Sequence, residues 1–237
     1  MTQLPRAVLW DMDGTLVDTE PYWMAAEIPL VESFGGTWTH EQALTLVGSG
    51  LEDSARILQA VGVDMGVGEI IDHLTAEVRR QLATLGVPFR PGAQELLRSL
   101  RDAGIPTALV TMSMRRMAED IVSLIDFPSF DLIVAGDDVD RPKPHPEAYL
   151  KASTELGVDP MHTVALEDSP TGLRAAVSAG TVAIGVPHLV ALDDAGAHEL
   201  WPSLSGRTPE DVATLYRRHR PASAPSMSLA ADRGDHA

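Results

Sequence analysis

Two carboxylates separated by one residue, Asp11 and Asp13, stand directly after the short apolar run Ala7-Val8-Leu9-Trp10 and just before Gly14 and Thr15. In extended backbone the side chains at i and i+2 point the same way, so the pair can reach one small volume unless the turn redirects the second. Two such charges about 4 Å apart repel by roughly 4 kcal/mol at an effective dielectric near 20, so a cation or a proton has to join them. Asp and Gly also favour ordinary solvated turns, and the tetrapeptide alone leaves both readings open. The apolar run is too brief for a helix and suits a strand buried on both faces. That places the acids at the carboxyl edge of an open α/β sheet, where such folds bind ligands.

Other polar groups fall at equivalent places further along. Thr107-Ala108-Leu109-Val110-Thr111 reads as a strand ending at a hydroxyl, with Met112 and Ser113 close behind. In Arg141-Pro142-Lys143-Pro144-His145-Pro146 three prolines alternate with basic residues, which excludes a helix interior or a central strand and leaves a stiff loop holding Lys143. His145 has no second histidine or carboxylate at ligand spacing and is left unassigned. The strand His162-Thr163-Val164-Ala165-Leu166 runs into Glu167-Asp168-Ser169-Pro170. Paired acids there could also serve as charges at a helix N-terminus.

The string Asp-Met-Asp-Gly-Thr-Leu-Val-Asp-Thr-Glu from Asp11 resembles the first motif of the haloacid dehalogenase superfamily, in its phosphatase and phosphomutase branch. Thr111, the Lys143-Pro144 loop and the Glu167-Asp168 pair resemble its second, third and fourth motifs, in order and 100, 32 and 25 residues apart. The resemblance covers about residues 5–187. It implies a doubly wound parallel sheet, Rossmann-like, with an inserted α-helical cap. It further implies Asp11 as the nucleophile and Asp13 as general acid and base, with Lys143 neutralising both nucleophile and phosphate. Thr111, Met112, Ser113 and Lys143 would bind substrate. Magnesium would be held by Asp11, the Asp13 backbone carbonyl, Glu167 and Asp168. The expected partner is a small phosphorylated metabolite: a sugar, polyol or glycolate phosphate.

The elements that must position these residues follow the same pattern. Residues 1–17 and 89–219 are expected to form the core, 18–88 the helical cap and 220–237 a disordered tail rich in Ala, Ser and Pro. In the cap, helices are expected from Glu20 toward Phe34 with Pro29 kinking or interrupting the first. Others should run from the capping-box start at Thr39, over Leu51 to Ala60, and over Val67 to Leu85, where Ile70, Ile71, Leu74, Val78 and Leu82 form an apolar stripe. Helices of the core end at Gly104, Gly157 and Gly180, a fifth strand runs from Thr181 to Val186, and a last helix starts at Thr208.

Composition closes off other classes. A net charge of −16 with no Lys/Arg cluster opposes nucleic-acid binding. The absence of cysteine removes disulfide scaffolds, thiolate zinc sites and cysteine nucleophiles, and no apolar run approaches the roughly 20 residues needed to span a bilayer. A cytoplasmic protein, monomeric or weakly dimeric, is expected. Two rivals remain. A receiver-type signalling module also gathers acids, a Thr and a Lys, but its resemblance implies adjacent acids after the first strand and an acceptor Asp two strands later. A sugar phosphomutase of the β-phosphoglucomutase type shares all four motifs but carries Lys and Arg where this chain has Val47 and Leu51, and His where it has Trp23.

Overall fold

The structure is a computed structural model that describes residues 4–47 and 49–220. Its centre is a six-stranded sheet of β1 (Ala7–Trp10), β2 (Thr107–Val110), β3 (Leu132–Val134), β4 (Thr163–Glu167), β5 (Val182–Gly185) and β6 (Glu199–Leu200). The order is β3-β2-β1-β4-β5-β6, with every neighbouring pair parallel. Chain order reverses at β1, which lies between β2 and β4, and the carboxyl end of such a switch point is a natural crevice. Trp10 is level with Leu109 on one side and Leu166 on the other. Three strands therefore end together, and the residues that follow them share one edge.

β1, β2, β4 and β5 are buried throughout, as strands covered on both faces must be. Alternation along β1 sends Val8 and Trp10 into an apolar layer with Leu96, Met117 and Leu215, from helices α5 (Ala93–Asp102), α6 (Arg115–Ser123) and α9 (Pro209–His219). Ala7 and Leu9 enter the opposite layer with Tyr149 and Leu173, from α7 (Glu147–Glu155) and α8 (Pro170–Ser178). The sheet is doubly wound, as the sequence implies.

Between β1 and α5 stand four further helices, α1 (Glu20–Ser33), α2 (His40–Leu44), α3 (Leu51–Ala60) and α4 (Val67–Leu85). The Thr39–Gln42 capping box forms, and the stripe Ile70, Leu74, Val78 and Leu82 is buried, with Ile71 at its half-buried margin. The insertion leaves and rejoins the core by adjacent connections. Val17 bridges Phe89, the Asp18 amide donates to the Pro88 carbonyl, and the Arg90 amide donates to the Leu16 carbonyl.

Of the two effects expected of Pro29, interruption does not occur: Pro29 lies inside α1, which runs from Glu20 to Ser33. The proline costs one backbone hydrogen bond, but Trp23, Ala26, Leu30 and Val31 on the same helix are buried and hold the segment helical. The sequence reading also missed β6, whose two residues are too few to carry a period. Residues 221–237 of the expected tail lie outside the described residues, as does Gly48 of the loop before α3. Among the described residues no helix is long and apolar enough to cross a membrane.

Candidate active site

Asp11 leaves β1 at the carboxyl edge, its amide held by the Leu166 carbonyl at 3.0 Å. The proline-rich loop beyond β3 delivers Lys143 to the same point. The Lys143 ammonium donates to Asp11 Oδ1 at 2.7 Å, Glu167 Oε1 at 2.6 Å and the Val110 carbonyl at 2.9 Å. All three donors are used, and the side chain is almost wholly buried. Burial alone would lower the Lys143 pKa, but the Asp11 and Glu167 charges outweigh it and hold the amine protonated. Asp11 is pushed up to about 7, first by burial and then by the Glu167 charge, with Lys143 pulling the other way. Asp11 Oδ2 is buried and has no hydrogen-bond partner among the described residues.

Asp13 opens on the same cavity but takes a different set of partners, so the turn does redirect the second acid. Its Oδ2 accepts from Ser113 Oγ at 2.7 Å and Thr111 Oγ1 at 3.3 Å. Its Oδ1 accepts from the Thr19 hydroxyl and, at 3.4 Å, from Trp23 Nε1. The hydroxyls at the end of β2 therefore position Asp13, and Thr111 Oγ1 also accepts the Ser113 amide at 3.0 Å. Met112 lines the cavity between them.

Glu167 ends β4 and Asp168 follows it. Glu167 is fully buried: Oε1 also accepts from Tyr149 OH at 2.7 Å, and Oε2 accepts from Ser169 Oγ at 3.2 Å. Burial and then the Glu167 charge push the Tyr149 phenol well up, so it remains a donor. Asp168 is raised well above the usual carboxylate range by burial and then by Asp11 and Glu167. Both acids need backbone pressed against them. A Cβ on Gly14, whose φ is +88°, would lie 2.0 Å from Asp168 Oδ2, and one on Gly172 would lie 1.9 Å from Glu167 Oε1.

Asp11, Glu167 and Asp168 each bring an oxygen within 4.8 Å of the others. Three buried carboxylates face one ammonium, and one buried oxygen of Asp11 is unpaired. A divalent cation with hard oxygen ligands fits this donor set and would supply the missing positive charge. The Asp13 carboxylate lies outside the cluster, as expected of a residue assigned through its backbone carbonyl.

A cavity of about 90 Å³ opens above these groups, roofed by the insertion through Trp23, Leu46, Leu51 and Leu74. Glu20, Glu27, Ser49 and Ser54 of the insertion also line it. Burial and then the Asp13 charge push Glu20 up to about 8. Sequence reasoning gave no role to Tyr149, Ser169, Glu20 or Glu27. Glu20 and Ser169 stand in strings it had singled out, whereas nothing local marks Tyr149 or Glu27 as facing the site. His145 accepts the Glu147 amide at 3.2 Å, a local contact at the start of α7.

Residues 8–186 match the haloacid dehalogenase-like hydrolase family. The chain is 34% identical over 199 residues to a phosphorylated carbohydrates phosphatase of Thermotoga maritima, covering 81% of this chain and 92% of that one. It is 31% identical over 199 residues to hexitol phosphatase B of Escherichia coli K12, covering 79% and 86%. Among solved structures, CbbY of Rhodobacter sphaeroides in complex with xylulose-(1,5)bisphosphate superposes with a TM-score of 0.78 at 31% identity, over 86% of this chain and 96% of that one. With the parallel sheet, the helical insertion and the acids gathered at the switch point, these matches make the chain a member of the haloacid dehalogenase-like hydrolases.

Proposed function

We propose that the chain is a magnesium-dependent phosphatase that hydrolyses a small sugar or polyol phosphate monoester through an aspartyl phosphate on Asp11. The observation that carries the reading is the Asp11 carboxylate. One oxygen is clamped by Lys143 and the other is unpaired at the cavity, opposite an Asp13 carboxylate held by hydroxyls.

In the first step Asp11 attacks phosphorus in line, forming an Asp11–phosphorus bond as the ester oxygen leaves with a proton from Asp13. In the second, Asp13 takes a proton from water, which attacks the same phosphorus and returns Asp11 and inorganic phosphate. Lys143 offsets the charge on Asp11 and on the transferring oxygens. Thr19, Thr111, Ser113 and Trp23 hold Asp13 in place. Glu167, tied to Lys143, Tyr149 and Ser169, orients the ammonium. Asp11, Glu167, Asp168 and the Asp13 carbonyl would hold magnesium, whose positive charge stabilises the phosphoryl oxygens when bound. Residues 18–88 are read as the cap, closing the cavity against water.

The names of the relatives support sugar and polyol phosphates as the substrate class. A mutase reading has less support, because it needs a basic grip on a second phosphate. The cavity presents Leu51 there, and Trp23 rather than a histidine reaches Asp13. The test is incubation with magnesium and β-glucose 1-phosphate plus a trace of the 1,6-bisphosphate, alongside p-nitrophenyl phosphate and a panel of sugar and polyol phosphates. Inorganic phosphate should appear. Glucose 6-phosphate formed faster than phosphate would make the chain a mutase, and no magnesium-dependent release from any ester would remove the phosphatase reading.

A further inference from the structure

The wall of the cavity furthest along α1 is acidic and incompletely satisfied. Glu20, Trp23 and Glu27 fall at i, i+3 and i+7 of α1 and all face the cavity. Glu27 is only 5% exposed, and its Oε2 accepts from Trp38 Nε1 at 3.0 Å. Its other oxygen has no partner among the described residues. Ser54, 7% exposed, also lines the cavity, and its hydroxyl makes no hydrogen bond to the described protein. Both groups border the cavity with hydrogen-bonding capacity that no described protein group uses, so they are open for a ligand. No cation stands near them: Lys143 is the one basic side chain in the described lining, and Asp11, Glu167 and the Val110 carbonyl already use its three donors.

We propose that Glu27, together with Ser54 of the same lining, reads the hydroxyl groups of an uncharged polyhydroxylated substrate tail and rejects substrates bearing a second anionic group. This rests on the phosphatase reading and deepens it. A carboxylate oxygen accepts from hydroxyl donors, and the serine can both donate and accept. A second phosphate or a carboxylate would instead meet the Glu27 carboxylate, with no basic side chain free in the described lining to offset it. Trp38 makes the assignment specific. Because the indole N–H only donates, a glutamine at position 27 must turn its oxygen toward Trp38 and its NH₂ toward the cavity. Glu27→Gln therefore converts an acceptor facing the substrate into a donor at nearly constant volume.

The experiment compares glucitol 6-phosphate with gluconate 6-phosphate, which differ only at C1, as CH₂OH against carboxylate. With magnesium, the wild-type full chain should favour glucitol 6-phosphate at least 100-fold in kcat/KM. Glu27→Gln should narrow that ratio at least tenfold, mainly by raising KM for glucitol 6-phosphate. Ser54→Ala should lower kcat/KM for glucitol 6-phosphate at least threefold, again through KM, and it is small enough to leave folding unaffected should Glu27→Gln not fold. Wild-type discrimination below threefold, or variants that melt like wild type and shift neither parameter by twofold, would overturn the inference while wild-type hydrolysis of p-nitrophenyl phosphate left the phosphatase reading standing. No phosphate release by wild type from any ester would overturn both.

Discussion

Replacing Lys143 with methionine removes the one ammonium among Asp11, Glu167 and Asp168 and should cost more than any surface change in the molecule. The ammonium lies 2.7 Å from Asp11 and 2.6 Å from Glu167. At an effective dielectric near 20, each pair is worth about 6 kcal/mol before desolvation. Taking the ammonium out of water cancels much of that, and removing one partner of a buried pair costs about 3–5 kcal/mol net. Against a total stability of about 5–15 kcal/mol this is a large fraction. The loss should depend on pH with a definite sign. Without the ammonium Asp11 and Asp168, already raised, have folded pKa values further above their unfolded ones, so their contribution is favourable at low pH and disappears as pH rises through the folded values. Urea unfolding in chelator should therefore show Lys143→Met about 3–5 kcal/mol below wild type at pH 8 and closer to it at pH 5.5. Lys143→Arg should not rescue, because a planar fork cannot reproduce three bonds from one nitrogen. A deficit under about 1 kcal/mol at pH 8 would refute the claim that this amine holds the carboxylates together.

Asp11→Asn should abolish turnover while melting in chelator no lower than wild type at pH 8, since the amide occupies the same space without the charge; activity within tenfold of wild type would end the covalent mechanism. Metal-free wild type should lose stability relative to Asp11→Asn as pH rises through about 7, the folded value for Asp11, by up to about 1.4 kcal/mol per pH unit for each proton released. Magnesium, competing with those protons, should bind more tightly over the same interval, and calorimetric titration at pH 6 and pH 8 would show the opposite order if the acids were not its ligands. Gly172→Ala, which in an ordinary helix position would gain about 1 kcal/mol, should lower the melting temperature and the activity together, because the new methyl overlaps the Glu167 carboxylate.

The sheet was legible because strands buried on both faces leave continuous apolar runs, and each of the four motif residues follows one of those runs or lies in a loop stiffened by proline. The helices of the insertion were legible from capping at Thr39, from glycine stops and from the stripe on α4. Whether Pro29 interrupts α1 was not legible, because local propensity says nothing of the packing that holds α1 helical. The acceptor role of Asp13 and the tyrosine on Glu167 depend on contacts 98 and 18 residues away in sequence, which no spacing rule encodes. Glu27 is the plainest case. Its sequence neighbours mark it as a charge on a helix, which is usually solvated, and only the tertiary placement of α1 over the β1 turn puts it inside.

The placement of the acids by the central strands bears on stability as well as on the proposed chemistry. The central strands bring Asp11, Glu167 and Asp168 together whether or not anything neutralises them, because their positions are set by backbone register and by apolar layers on both faces. Like charges so held oppose folding, and one ammonium offsets only part of the repulsion. A ligand that binds the folded state alone then stabilises it by mass action, about 2.7 kcal/mol at a hundred times its dissociation constant. The same charge balance that would position a phosphoryl group over Asp11 thus ties stability to metal. On the opposite wall the Glu27 carboxylate has no such compensation in the described lining. A cation-demanding floor facing an uncompensated carboxylate is the asymmetry behind the proposed preference for an ester anionic at its phosphorus end and uncharged at the other.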